Sequence, residues 1–171
     1  IAWGYYNLGW ALTAQSYFHE AIIYLDKSIY WWKEHNEING LFFSLAASGG
    51  VHRLLGDYEK AFDRTLESLQ LTPKMTDTRG VTSQLNFMGL LYRDMEDYPS
   101  ALQYYRQSLQ KNEPDYKYNF SPMVFAEVFS LLRQYDSANY YFNLVDTSQP
   151  DNVRFYLVSK GELYLLQKDY E

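Results

Sequence analysis

No cysteine occurs among the 171 residues. That absence removes disulfide bridges, thiolate metal sites and cysteine nucleophiles together. Histidine is nearly as scarce: His19, His35 and His52 lie far apart, so no pair has the helical spacing of metal ligands. His19-Glu20 lacks a second histidine at residue 23, so the zinc-protease pattern fails. No run approaches the about 18 uninterrupted apolar residues of a membrane helix, and no membrane contact is expected of this stretch. The 15 basic residues are scattered and the net charge is −6, which argues against a phosphate-binding face and hence against nucleic acid as a partner.

What the chain does have is internal repetition. Ala21, Ala61 and Ala101 fall 40 residues apart, and their surroundings recur in phase. Gly40 pairs with Gly80, Leu45 with Leu85, Gly49 with Gly89, Arg53 with Arg93, Asp57 with Asp97, and Ser68-Leu69-Gln70 with Ser108-Leu109-Gln110. The first unit keeps the frame with Gly9, Ala21 and Ser28, the fourth with Ala126 and Ala138, and a fifth opens with Leu157, Gly161 and Tyr164. The units are read as 2–35, 36–75, 76–114, 119–150 and a partial 151–171, forming one continuous domain. The Pro/Asn/Asp-rich stretch 112–122 is expected to be a loop between units.

Apolar residues within a unit follow a helical period, as in Leu85, Met88, Gly89 and Tyr92. After a break at Glu96-Asp97-Tyr98-Pro99, a second face runs through Ala101, Tyr105 and Ser108, with Pro99 in the first turn where its missing N–H costs nothing. Each unit therefore reads as helix, short turn, helix. Glycine inside a helix costs about 1 kcal/mol relative to alanine, so Gly9, Gly49, Gly89 and Gly161 at one phase need a compensating reason. Close approach of the paired helix supplies it, with Ala21, Ala61, Ala101 and Ala138 as the matching small surface. Most of the 18 tyrosines fall at packing phases as well.

The pattern of Leu45, Ser48, Gly49, His52, Tyr58, Ala61, Thr65, Ser68 and Pro73, repeated as Leu85, Met88, Gly89, Tyr92, Tyr98, Ala101, Tyr105, Ser108 and Pro114, resembles the tetratricopeptide repeat. The resemblance spans nearly the whole chain and implies an all-α, right-handed α-solenoid of helix–turn–helix units. Its period of 40, then 37, exceeds the family's usual 34 residues. The extra residues are expected at 34–41 and 74–81, with Asn36 and Thr76 as helix N-caps. This extended form is similar to repeats of kinesin light chains, cell-polarity adaptors, bacterial sensor kinases and peptide-responsive regulators. The irregular fourth unit, with Pro122 and Phe125, is expected to dock more loosely.

Nothing in the sequence points to catalysis or a cofactor. Ser48-Gly49-Gly50 lies inside a helical pattern and not at a strand–turn–helix elbow. The acidic runs 57–59 and 94–97 fall at turns, where they favour the positive end of the following helix. The resemblance implies a protein- or peptide-binding module whose concave groove is lined by non-consensus positions of each first helix. These are Trp3, Tyr6, Trp10 and Thr13; Phe43, Ala46, Ala47, Gly50 and Arg53; Ser83, Asn86, Phe87, Leu90 and Arg93; and Met123, Glu127 and Ser130. Arg53 and Arg93 share one phase and either hold a ligand carboxylate or pair with Asp94, Glu96 or Asp97. Trp3 and Trp10 either bind a partner or bury against a preceding unit. The clamp of chaperone-tail-binding repeats is absent, since Tyr6, Trp10, Ala47, Ser83 and Phe87 stand at its positions.

Two other uses stay open. One is a sensory or regulatory part of a bacterial signalling protein. The other is self-association, with Leu157, Tyr164 and Leu165 of the last helix as a homodimer seam. The chain begins at Ile1 and is read as a piece of something longer, and cytoplasmic and bacterial periplasmic locations are equally compatible with it.

Overall fold

The computed structural model describes residues 1–74, 79–111, 121–148 and 150–168, and of residues 79, 111, 121, 150–152 and 155 only the backbone. Among them there are nine α-helices and no strand. Four helix pairs follow one another: α1 (Ala2–Ala14) with α2 (Phe18–Glu34), α3 (Ile38–Leu54) with α4 (Tyr58–Leu71), α5 (Arg79–Asp94) with α6 (Tyr98–Lys111), and α7 (Ser121–Leu131) with α8 (Tyr135–Asn143). The single helix α9 (Pro150–Lys168) closes the series. Each helix packs on its pair and on the next pair, which makes an α-solenoid.

The glycine–alanine phase marks where paired helices touch. A Cβ on Gly9 would stand 2.7 Å from Leu25 Cγ and 3.2 Å from the Ala21 carbonyl oxygen; on Gly49 it would meet Thr65 Oγ1 at 3.0 Å and the Ala61 carbonyl at 3.3 Å. On Gly89 it would lie within the Tyr105 ring, 2.8 Å from Cζ. Ala21, Ala61, Ala101 and Ala138 are wholly buried, as is Ala126 on α7. Gly161 departs from this rule: nothing lies within 4 Å of its Cβ position, because no described helix pairs with α9 on that side. The other repeated pair, Gly40 and Gly80, serves contacts between units, where a Cβ would strike the Trp32 and Phe42 rings respectively.

The repeated serines are polar stitches. Ser28 Oγ donates to the Ala2 carbonyl and shares a hydrogen bond of 2.9 Å with Ser44 Oγ. Ser68 Oγ donates to Gln84 Oε1 at 3.0 Å, and Ser108 Oγ to the Thr82 carbonyl at 3.3 Å. A hydroxyl at this phase ties a second helix to the neighbouring first helices without leaving a buried donor unmet.

Every turn inside a unit has three residues with the middle one left-handed: Ser16 (φ 64°), Gly56 (74°), Glu96 (62°) and Arg133 (59°). The following amide then reaches back to the last helical turn, as Tyr17 N to Leu12 O, Asp57 N to His52 O, Asp97 N to Tyr92 O and Gln134 N to Phe129 O, each at 2.9 Å. This is the six-to-one bond of a Schellman ending. Asn36 (φ 55°) does the same after α2, so it ends that helix and does not cap α3, whose N-cap is Glu37. The extra residues at 34–41 lengthen α2 and α3 to 17 residues each and leave a connection of only residues 35–37. Thr76 lies outside the described residues, as do 112–120 of the expected loop.

The fourth unit, whose helices of 11 and 9 residues are the shortest of the four pairs, joins the third through aromatic rings. Phe125 is buried edge-to-face on Tyr105 at 5.9 Å and stacked with Tyr141 at 4.9 Å, while Ala126 and Ala138 keep the small positions of the earlier units. Tyr92 and Tyr104 likewise stack at 5.2 Å.

His52 occupies in α3 the phase that Tyr92 holds in α5, and it is 5% exposed. Its Nδ1 lies 3.4 Å from Asp57 Oδ2 without forming a hydrogen bond. Burial lowers its pKa, with Lys60 and Arg64 in the same sense and Asp57 and Asp26 opposing. With the folded value below the unfolded 6.5, the unfolded chain binds the proton first as pH falls. The contribution is complete above pH 6.5 and lost as pH descends through the folded value. Denaturation midpoints should therefore fall between pH 7.5 and pH 5, and His52→Gln should flatten that dependence. Asp57, held below its ordinary range by the Lys60 hydrogen bond, acts only in a more acidic window.

Candidate functional site

The first helices α1, α3, α5 and α7 carry the non-consensus positions, of which Asn86, Arg93, Met123 and Glu127 meet between α5 and α7, with Ser159 of α9 beside Glu127. At the N-terminal end Trp3 sits edge-on to Tyr6 at 5.4 Å and to Trp32 at 5.4 Å, and 6.2 Å from Phe43. Trp3 therefore packs forward onto the second unit and keeps 46% of its surface open; Phe43 keeps 44%. Tyr6 is half-buried against the Ala21–Leu25–Val51 cluster, and burial raises its phenol pKa. Trp10, on the same stripe, is 62% exposed and has no ring partner among the described residues, so the expected patch is Trp3, Tyr6 and Phe43 with Trp10 standing apart.

Further along the groove lies a chain of charge. Arg53 Nε donates to Asp94 Oδ2 at 2.6 Å. Arg93 donates through Nε at 3.2 Å and Nη2 at 3.0 Å to Asp94 Oδ1, and through Nη1 to Glu127 Oε2 at 2.7 Å. Ser159 Oγ closes the chain on Glu127 Oε1 at 2.8 Å. Four successive elements, α3, α5, α7 and α9, are thereby linked across unit boundaries. Burial works against the Arg93 charge, but the Asp94 hydrogen bond and the Glu127 charge outweigh it and raise its pKa.

This arrangement bears out the pairing of the arginines with Asp94. The guanidiniums do come together, but on a carboxylate of the chain itself. Asp94 is the last residue of α5, at the wrong end of that helix for its dipole, and the two arginines explain its presence there. The true caps are Asp57, which accepts from Lys60 N at 3.3 Å, and Asp97, which accepts from Ser100 N at 3.2 Å.

Two clefts flank Arg93 and Glu127. One, of about 400 Å³, lies between α5 and α7 and is lined by Ser83, Asn86, Leu90, Arg93, Met123 and Glu127. The Asn86 Oδ1 is buried there without a donor. The other, of about 330 Å³, lies between α7 and α9. Phe87 lines neither; one position on from Asn86, it turns onto the Ala61–Met88–Leu91 cluster and is a packing residue between the second and third units. Ser159 was not visible as a site residue from the sequence, since a serine in the partial fifth unit carries no signal of its own. Among the described residues no cluster of three or more His, Cys, Asp or Glu could hold a metal ion. No described helix is long and apolar enough to cross a membrane.

Family models described as "Tetratricopeptide repeat" match residues 4–34 and 81–113, the α1–α2 and α5–α6 pairs. The chain is a tetratricopeptide repeat protein. No curated protein matches it. Among solved structures, it is similar to a tetratricopeptide repeat protein from Parabacteroides merdae at 22% identity and a TM-score of 0.71, covering 96% of this chain and 58% of that one. The apo form of the quorum sensor NprR from B. thuringiensis, also 22% identical, aligns with a TM-score of 0.74 over 97% of this chain and 47% of its own. PilF of Pseudomonas aeruginosa, at 18% identity and a TM-score of 0.64, is covered over 67% of its length. The tetratricopeptide chain thus spans about half to two thirds of these structures, and at such identities they share its fold.

Proposed function

We propose that this tetratricopeptide solenoid is a non-catalytic scaffold whose concave groove holds an extended segment of a protein or peptide. The observations that support the reading are the open aromatic surface of Trp3 and Phe43 on α1 and α3 and the Asn86–Arg93 cleft between α5 and α7. Large rings left half-exposed at one end and unmet polar atoms at the other suit an apolar anchor followed by a hydrogen-bonded stretch of chain. Because Asp94 and Glu127 already occupy the arginines, the groove is not organised around a ligand carboxylate.

Selection of a phage-displayed random heptapeptide library on the immobilised protein tests this. Sequences enriched on wild type should be lost on Phe43→Glu, by about 30-fold if the ring is a hot spot of about 2 kcal/mol. They should persist on Tyr140→Glu, a 61% exposed position on the second helix α8. Equal loss on both variants, or on neither, would refute the groove.

A regulatory role is a second reading, supported by the likeness to the quorum sensor NprR. In it, ligand entry alters the relative tilt of the units joined by the charge chain. Self-association draws on another observation: Leu157, Tyr164 and Leu165 are 59–68% exposed around the open Gly161. A concentration-independent monomer mass in sedimentation would remove it.

A further inference from the structure

We propose that the cleft between α7 and α9 is a subsite for a cationic side chain, lysine or arginine, of the bound segment. The inference rests on the groove reading above and adds the chemistry of one position within it.

The first ground is charge balance. Along the groove wall stand two guanidiniums, Arg53 and Arg93, and three carboxylates, Asp94, Glu127 and Glu162. Arg53 and Arg93 are held by Asp94, and Arg93 also by Glu127. Glu162, exposed on α9 and lining the cleft, has neither an ion pair nor a hydrogen bond among the described residues. The uncompensated charge of the wall is thus one carboxylate at the α9 end, within a chain whose net charge of −6 adds a field of the same sign.

The second ground is the hydrogen-bond inventory. In the adjoining cleft, which shares Arg93 and Glu127, the buried Asn86 Oδ1 lacks a donor. A ligand N–H group would satisfy that oxygen. An ammonium or guanidinium does so and carries the matching charge. An anionic side chain would face Glu162 and find the Arg93 donors already committed.

The third ground is shape. The cleft holds about 330 Å³ and has Leu131, Val158 and Leu166 among its walls, with Glu127 and Glu162 as its acidic groups and Arg93, already held by Asp94 and Glu127, as its cation. Apolar walls take the methylene stem of a lysine or arginine while the carboxylates meet its head. Ser159, which fixes Glu127 from α9, would orient that carboxylate across the cleft.

Titration of the ¹⁵N-labelled protein with three single-residue probes, N-acetyl-arginine amide, N-acetyl-glutamate amide and N-acetyl-tryptophan amide, tests the assignment. The arginine probe should shift the amides of Ser130, Ser159 and Glu162 with millimolar affinity. Glu162→Gln should weaken this about threefold to fivefold, the scale of a partly screened pair, and Glu162→Lys should abolish it. The glutamate probe should leave those amides unmoved. Because Glu162 is exposed and unpaired, both variants keep the fold, which an unchanged remainder of the spectrum verifies. Equal shifts by the arginine and glutamate probes, or arginine shifts that survive Glu162→Lys, would overturn the cationic subsite. If only the tryptophan probe acts, at Trp3, Tyr6 and Phe43, the subsite falls and the groove stands. If no probe acts at either place, both fall.

Discussion

Gly89→Ala should destabilise the protein by about 1–3 kcal/mol, while the same change at Gly161 should stabilise it by about 0.5–1 kcal/mol. The two glycines share a repeat phase and a helical backbone, so helix propensity alone favours alanine at both. Space separates them. A Cβ at Gly89 falls within the Tyr105 ring, whose side chain is fully buried and packed on Phe125, so the ring has nowhere to retreat without opening the α5–α6 interface. A Cβ at Gly161 meets nothing within 4 Å. Urea unfolding of the two variants beside wild type gives the signs directly. Stabilisation by Gly89→Ala would contradict the packing account, and destabilisation by Gly161→Ala would mean that another surface already uses that position.

The second large effect is expected at Arg93. Its side chain is 20% exposed and bridges Asp94, at 18%, and Glu127, at 26%. Arg93→Ala leaves Glu127 without its cation and removes half of what offsets Asp94. Breaking a fully buried pair costs about 3–5 kcal/mol, and the residual exposure here reduces that to about 1–3 kcal/mol. Glu127→Ala should cost less, because Arg93 keeps Asp94. The double variant should be milder than the sum of the two, with a coupling of about 0.5–3 kcal/mol in a mutant cycle. Strict additivity would show that the Arg93–Glu127 pair contributes nothing to stability.

The sequence made the helix pairs legible because volume complementarity must recur wherever two helices meet at one distance. Gly9 against Leu25 and Ala21, and Gly49 against Thr65 and Ala61, are instances of that requirement. The turns were less visible. Four of them need a left-handed residue, yet only Gly56 advertises it; Ser16, Glu96 and Arg133 adopt the same conformation without a signature. The same blindness misplaced Asn36, which has the side chain of an N-cap and the backbone of a helix ending.

The site divides along the same line. Arg93, Asn86 and Glu127, proposed together from their helical phase, which fixes the direction of Cβ, do line one cleft. What those side chains do there depended on pairings across 41 and 34 residues, which no local pattern encodes. Asp94 looked like part of a turn, and only the distance to two guanidiniums identifies it as their counter-ion. Phe87 shows how sharp the boundary is. One residue beyond Asn86, about 100° around the helix, is enough to move a ring from the groove into the packing between units.

The central claim is that partners enter from the inner face, and amide hydrogen exchange of the protein with and without a library-selected heptapeptide tests it most directly. The account predicts new protection in the first helices α1, α3, α5 and α7 and along the Glu127-facing side of α9, with α2, α4, α6 and α8 unchanged. Protection confined to the second helices would place the binding surface on the outside of the solenoid and contradict the account.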